Sequence, residues 1–423
     1  MSFRLPPSRS LWRDQSFVLF WLGRAISLLG TAITSVVLPI LVYRLTASAL
    51  LTSLLATLEV LPYLLFGLFA GEVADRVDRR RLMVGCDLLN TFLLGSIPAA
   101  GWLHALTVPH IFVVALLSAS AFVWFDAADF GAIPTLVGRE HLVAATSAIA
   151  SMSTVVGIVG PALGGVLIAT IGPAAALSFD AISYLLSAIS LLLIPRAFSS
   201  MQLSNQLPQP PVHRTLTGIR EGMSFLWHHQ LVRVLTFLSF GLSFTGGAVS
   251  GLLVVYAVQA LHLSSNDARI GLLFTAGATG SFVASLLLPQ LTKRSPVGWI
   301  SLVAMSLNLI LLLLLAGVSS WGVALVLYAS WELSYTLITT NGRALRQLVI
   351  PDHLQSRVNA YARMIAWGGT PFGAAVGGLL AQVTTIRTTY LILAAGIALS
   401  TLLGWFSPLR QRTKIHDLTK KQT

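Results

Sequence analysis

The sequence predicts an all-α membrane protein of twelve transmembrane helices in two pseudo-symmetric six-helix bundles, and three observations carry that reading. Composition is the first. Of 423 residues 55% are apolar and only 10% are charged, and the mean hydropathy is strongly positive, a membrane profile rather than that of polar-surfaced soluble domains. The second is that apolar segments of about 20 residues, each able to cross a hydrocarbon core about 30 Å thick, recur from Phe17 to Phe406. The third is internal repetition. LVGREHL at 136–142 and LVIPDHL at 348–354 share a pattern at an offset of 212, and GGVLIA from Gly164 and GGLLA from Gly377 follow at an offset of 213. Half the chain length is close to both offsets, so two similar halves arranged as parallel repeats are expected.

The spans fall near 17–43, 49–71, 82–105, 109–133, 146–171, 173–195, 234–261, 269–291, 297–318, 321–341, 357–382 and 386–407. Residues 1–195 then form one bundle, 196–233 a cytoplasmic joining segment, 234–408 the second bundle and 409–423 a basic tail. The joining segment holds NQLPQPPVHR and then GIREGMSFLWHHQLVRVL, where Ile219, Met223 and Leu226 share one face and predict an amphipathic helix on the membrane surface. The first span is too long for a signal-peptide core and has no small-residue cleavage site behind it, so it is read as retained.

Charge sorts by side. Arg4, Arg9, Arg13, the Arg76 to Arg81 group, Arg139, Arg196, Arg214, Arg220, Arg233, Lys293, Arg294, Arg343, Arg346, Arg357, Arg363 and the tail fall on one side; Arg44, Arg269 and Arg387 fall on the other. The positive-inside rule then places both termini in the cytoplasm. The net charge of +12 fits loops facing an anionic lipid leaflet and calls for no nucleic acid. The single cysteine, Cys86, excludes an intrachain disulfide and a Cys-rich metal site, and reads as a buried thiol. No nucleophile elbow, zinc-protease motif or phosphate loop is present, so the chain is expected to be no enzyme and to use no cofactor or metal.

One turn breaks the avoidance of charge. GEVADRVDRRR at 71–81 packs seven charges into eleven positions between spans 2 and 3. Gly71, Asp75, Arg76, Arg79 and Arg80 resemble the G-x-x-x-D-R-x-G-R-R signature of the major facilitator superfamily. Asp78 stands at the signature's second glycine, where Asp tolerates left-handed turn geometry. GPALGG on span 5, with Gly160, Pro161, Gly164 and Gly165, looks like the motif of drug:proton antiporters, although Val156 stands where that motif has an earlier glycine. SLLG, VYRLTASAL, LVGREHL and LSFDAISYLLSA are similar to the macrolide-efflux and siderophore-exporter branch. Span 4 lacks the arginine that proton antiporters of this superfamily carry there. The resemblance implies a rocking two-bundle transporter, with a central cavity lined by spans 1, 4, 7 and 10 and with Asp75 near the start of span 11 when the cytoplasmic side is shut. It implies export of small amphipathic or lipophilic molecules, drug-, macrolide- or siderophore-like, in exchange for protons and by a monomer. An uptake symporter or facilitator of the same fold is the alternative, and a sensor or scaffold that moves nothing is the alternative of another class.

The residues themselves suggest where chemistry lies. An ionisable group inside a span is functional by default, and Arg24, Glu59, Asp180 and Glu332 qualify. Arg24 begins a stripe with Ser27, Thr31 and Thr34, Glu332 begins one with Thr336 and Thr339, and Ser239, Ser243 and Ser250 share a face of span 7, spacings that hold one side of a helix. Arg24, Ser27, Thr31, Asp126, Ser239, Ser243 and Thr336 are therefore candidate cavity residues, with Arg24 facing Asp126 at similar depth. Glu332, then Glu59, are the candidate proton carriers. Asp180 is expected to brace spans 3 and 6, and Asp87 to belong with the arginine cluster. The mixed-sign turn reads as a latch in which Arg79 meets Asp126 or Asp129. Glycines four apart on spans 2, 5 and 11 let helix backbones approach closely.

Overall fold

The computed structural model describes residues 11–195, 223–351 and 354–410, and among these the regular structure is helical. Helices α1 (Gln15–Thr46), α2 (Ala49–Arg76), α3 (Arg79–Trp102), α4 (Val108–Ile171) and α5 (Pro173–Leu193) make up the first half. The second half holds α6 (Gln230–Gly251), a short α7 (Leu253–Gln259), α8 (Arg269–Arg294), α9 (Val297–Gly317), α10 (Trp321–Val349), α11 (Gln355–Val383) and α12 (Ile386–Trp405). Among the described residues ten helices are long and apolar enough to cross a membrane. One of these, α4, has 64 residues and contains the expected spans 4 and 5. It is interrupted at Gly138, whose φ of 74° and ψ of 165° lie where only glycine settles without strain. Helix α10, 29 residues long, is not among the ten, because Glu332 and its Trp, Tyr and Ser side chains dilute its hydropathy. The expected span 7 is divided into α6 and α7 at Leu252 (φ −97°, ψ 1°).

Large apolar side chains such as Phe92, Leu193, Phe372 and Leu403 remain exposed on helix faces, which a lipid-facing surface requires. The chain divides into two compact units, Met1–Leu38 with Pro62–Pro208 and Pro39–Leu61 with Gln209–Thr423. By its contacts, the hairpin formed by the end of α1 and the start of α2 belongs with the second unit.

In the first unit Phe17, Phe20, Met83, Phe125 and Leu191 form a buried cluster that also holds Cys86. Close approach of α4 to α1 depends on the GPALGG glycines. A Cβ on Gly160 would strike Ala32, and one on Gly164 would sit 3.3 Å from the Ile33 carbonyl. The face of α1 carrying Thr31 and Thr34 meets α5: Thr34 donates to Asp180, and the Thr31 and Tyr184 hydroxyls are 3.0 Å apart. Asp180 therefore joins α5 to α1 and not to α3, because α1 supplies the hydroxyl that reaches it. Asp87 is fully buried; it lies two turns inside α3, away from the arginine turn.

The second unit is held by a glycine seam and two asparagines. Gly369, Gly373 and Gly377 on α11 lie against Phe240, Phe244 and Ala248 of α6, so closely that a Cβ on Gly373 would overlap the Phe244 carbonyl. Between α9 and α10, Asn308 donates to Ser334 Oγ at 2.8 Å and Asn341 to Ser301 Oγ at 2.7 Å. The start of α2 is capped from α11: Gln382 Oε1 accepts from Ser48 Oγ at 2.9 Å and from the Ala49 N–H at 3.0 Å. Of the expected surface helix, Ile219 lies outside the described residues. Residues 223–228 are helical, and Leu226 is buried against Val232, Ile350, Leu354 and Val358, so this end packs on protein.

Candidate functional site

Two polar centres are built, one in each unit. In the first, Arg24 on α1 points to α4, where its Nη2 lies 3.7 Å from Asp126 and 3.5 Å from Asp129. Arg24 and Asp129 are buried, whereas the Asp126 side chain is 51% exposed. The guanidinium also sits over the Phe122 and Phe125 rings, at 5.7 and 4.8 Å from their centroids. Such stacking compensates a cation that water does not reach. Ser27 is buried beside it, while Thr31 and Thr34 turn to α5.

The turn between α2 and α3 is laced by its own charges. Arg79 donates to Asp75 at 2.7 Å and to the Gly131 carbonyl of α4, also at 2.7 Å. A Cβ at Gly131 would meet the Arg79 guanidinium, so the absence of a side chain there admits it. The expected acids of α4 face Arg24 instead, a turn away from Arg79. Arg76 pairs with Glu72, and Arg80 donates to the Leu192 carbonyl. Asp78 is the N-cap of α3, in extended geometry (φ −66°), and accepts from the Arg81 N–H. It is thus a helix cap and not a left-handed turn residue. Around Gly71 the space is open within 4 Å.

The second centre is a cavity of about 800 Å³, a volume suited to a small molecule. Helix α6 contributes Ser239 and Ser243. Tyr335, Thr339, Arg343, Arg346 and Gln347 come from α10, and Arg363, Ala366, Trp367 and Thr370 from α11, with Val60 of α2 at its edge. The α10 side chains follow one another at three- and four-residue spacing, so they form a single face. Arg346 is only 5% exposed, and its Nε and Nη1 have no partner among the described residues. Arg363 lies over the Trp367 ring at 5.8 Å.

Glu332 and Thr336 are not among the lining residues. They turn to α8: Ser281 Oγ of α8 donates to the Glu332 carboxylate at 3.4 Å, as does Tyr328 OH of α10 itself at 3.2 Å, and Thr336 donates to Ser281 at 2.9 Å. Gly277 admits this carboxylate arm, since a Cβ there would lie 3.2 Å from Glu332 Cγ. Glu59 is exposed, next to Val60. Gly160, Pro161, Gly164 and Gly165 are buried against α1 within the first unit. Sequence reasoning assigned Arg343, Arg346 and Arg363 only to charge asymmetry. The signal that places them was the run Tyr335, Thr339, Arg343, Arg346 on one face of α10, and Arg363 with Trp367 and Thr370 on α11.

Comparison with known proteins fits this architecture. A family model described as transmembrane secretion effector matches residues 8–422. The multidrug efflux pump Tap of Mycolicibacterium fortuitum is 25% identical over 401 residues, covering 93% of this chain and 95% of that protein. The enterobactin exporter EntS of Citrobacter koseri (strain ATCC BAA-895 / CDC 4225-83 / SGSC4696) is 26% identical over 427 residues, with 95% of each covered. Among solved structures, the nucleoside transporter NupG matches with a TM-score of 0.75 at 14% identity, over 94% of this chain and 99% of that one. A bacterial homologue of the iron transporter ferroportin, in an inward-facing state, matches with a TM-score of 0.74 at 16% identity, over 94% and 98%. Those two show the shared fold. Matched along nearly its whole length, the chain belongs to the transmembrane secretion effectors of the major facilitator superfamily.

Proposed function

We propose that the protein is a secondary active exporter of small amphipathic or lipophilic molecules. It works as a monomer in the cytoplasmic membrane with both termini cytoplasmic, and exchanges substrate for protons by alternating access. The observation that carries this reading is the cavity in the second unit, about 800 Å³ and lined by hydroxyl, aromatic and cationic side chains. It stands in a chain whose relatives over nine-tenths of its length are a multidrug pump and a siderophore exporter. Substrate occupies the cavity, and Arg24 with its two acids holds α1 to α4 within the first unit.

Glu332 carries the proton. Both donors on its carboxylate, Tyr328 OH and Ser281 Oγ, suit the ionised form, which only accepts. On protonation one carboxyl oxygen becomes an O–H donor and a weaker acceptor, so the contact it receives weakens. Because Ser281 is on α8 and also receives Thr336, a proton at this atom loosens the seam between α8 and α10. That seam lies one turn from Thr339 at the cavity wall. Asp75 and Arg79 act as the latch between moving helices.

The test is flux in proteoliposomes with a fluorescent amphipathic dye, driven by a pH difference alone. Wild-type protein concentrates the dye. Glu332→Gln binds it and exchanges it in counterflow but does not concentrate it. Accumulation by Glu332→Gln under the same pH difference would exclude Glu332 as coupling site. A wild-type protein that moves no dye under any gradient returns the chain to the sensor or scaffold class.

A further inference from the structure

The cavity has a charge character that its relatives' substrates do not state. Three arginines, Arg343, Arg346 and Arg363, contribute to its lining, and among the described residues no Asp or Glu does. Among the described residues, two acids close in sequence to the lining lie outside it: Glu332 is engaged on α8, and Glu59 is exposed beside Val60. Within this set Arg346 is the telling residue. A guanidinium that is 95% removed from solvent normally has a carboxylate or several carbonyls around it. Here its Nε and Nη1, two donors of a planar fork that suits carboxylate, sulfonate or phosphate oxygens, have no acceptor among the described residues, and Arg346 is part of the cavity lining.

The rest of the wall has a different chemistry. Tyr335 and Trp367 offer flat aromatic faces, Val60 and Ala366 an apolar edge, and Ser239 and Ser243 hydroxyls. Tyr335 is held in place by Gly246, where a Cβ would meet its ring at 2.8 Å, and by stacking on Trp331 at 5.6 Å. A ligand that satisfies every part has an anionic group at the arginines and an aromatic or apolar body along Trp367 and Tyr335. A lipophilic cation satisfies the aromatic part and meets three like charges, with no counter-charge among the described lining residues.

We propose that this cavity is selective for amphipathic anions, binding the acidic group of the substrate through Arg346 with Arg343 and Arg363. This rests on the transporter reading above and names its substrate class. An anionic lipid headgroup has the same chemistry as an acidic substrate, so the test separates the two sources.

The protein in phosphatidylcholine nanodiscs is titrated with two dyes built on the same xanthene frame, carboxyfluorescein as the anion and rhodamine 123 as the cation, and binding is read by anisotropy. Carboxyfluorescein is expected to bind at least tenfold more tightly. Arg346→Gln should weaken it by about tenfold or more, the loss of one charge-assisted hydrogen bond, and leave rhodamine 123 unchanged or tighter. Arg346→Lys should fall between. Arg363→Gln, at an exposed position, carries the same test where Arg346→Gln does not fold. Arg387→Gln removes the same charge at Ser319, away from the cavity, and should change nothing. Tighter binding of rhodamine 123 by wild-type protein, or carboxyfluorescein binding indifferent to Arg346→Gln and Arg363→Gln, overturns the proposal while leaving export of another class of molecule intact. Loss of carboxyfluorescein when phosphatidylglycerol is added to the disc, together with loss of bound phosphatidylglycerol in the glutamine variants, assigns the cavity to a lipid and overturns it as well.

Discussion

Replacing Arg24 by methionine removes the charge and keeps an unbranched apolar stem over Phe122 and Phe125. Three contributions are lost. The pair with Asp126 contributes little, roughly 0–1 kcal/mol, because that side chain is 51% exposed. Asp129 is different. Its side chain is 10% exposed and its Oδ1 has no partner, so Arg24 is the principal compensation for a buried carboxylate. Breaking such a pair costs about 3–5 kcal/mol, and the separation of 3.5 Å, too long for a good hydrogen bond, points to about 3. The cation over the rings adds about 1. The total of about 4 kcal/mol corresponds to a melting temperature roughly 10 °C lower for a unit of this size. Asp129→Leu alone should cost about half as much, since Arg24 keeps Asp126 and the rings. The double variant Arg24→Met/Asp129→Leu should melt within a few degrees of wild type, because an apolar pair replaces a buried ion pair at little or no cost. Thermal unfolding is followed with a maleimide dye on Cys86, the single thiol, which is buried in the same cluster as Phe125. Single-variant losses that simply sum in the double, to within about 0.5 kcal/mol, would refute the pairing.

Three further outcomes are expected. Gly373→Ala should destabilise by about 1–3 kcal/mol or more and lower the yield of folded protein, whereas Gly71→Ala, with open space around it, should melt as wild type; equal melting of the two contradicts the seam. Asp75→Asn and Arg79→Ala should cut flux sharply with folding and dye affinity nearly unchanged, and loss of affinity at an unchanged rate of conformational exchange would remove the latch. Asp267, outside the spans, is held below the ordinary carboxylate range by hydrogen bonds from Arg269, so its contribution is present above the unfolded value near 3.9 and disappears as pH falls through the lower folded value. The melting difference between wild type and Asp267→Asn should therefore be flat from about pH 5 to 8 and vanish in strong acid, and a difference that widens on acidification contradicts it.

Helices and family were legible because hydropathy, basic-residue asymmetry and the Gly71 to Arg80 turn each report on a property the membrane imposes. What periodicity does not report is which neighbour a face meets. Thr31 and Thr34 mark a polar face of α1 correctly, yet that face bonds Tyr184 and Asp180 on α5. Glu332 and Thr336 mark a face of α10 that bonds Ser281, while the side chains turned to the cavity, Tyr335, Thr339 and Arg343, lie beside it. The arginines of the cavity were hidden for another reason. A basic residue at the end of a span has an ordinary explanation in lipid charge, and the burial of Arg346 with donors unpartnered among the described residues is not visible in the sequence. Helix breaks were equally opaque: Gly138 interrupts α4 by its backbone angles, and span 7 divides at Leu252, directly after Gly251, one glycine among several on that span.

The cap that Gln382 places on α2 sets an order of events during synthesis. Ala49 and its partner are 333 residues apart, so at roughly 5–20 residues per second the first hairpin waits between about 15 and 70 s for the side chain that closes its exposed N–H groups. Through that interval residues 39–61 sit in the bilayer with their packing partners unmade, although Phe17, Met83 and Phe125 have long since met. Removing Gln382 therefore acts on a late contact rather than on an early one, and its mark should be a slower approach to protease resistance in a pulse-chase of the nascent chain.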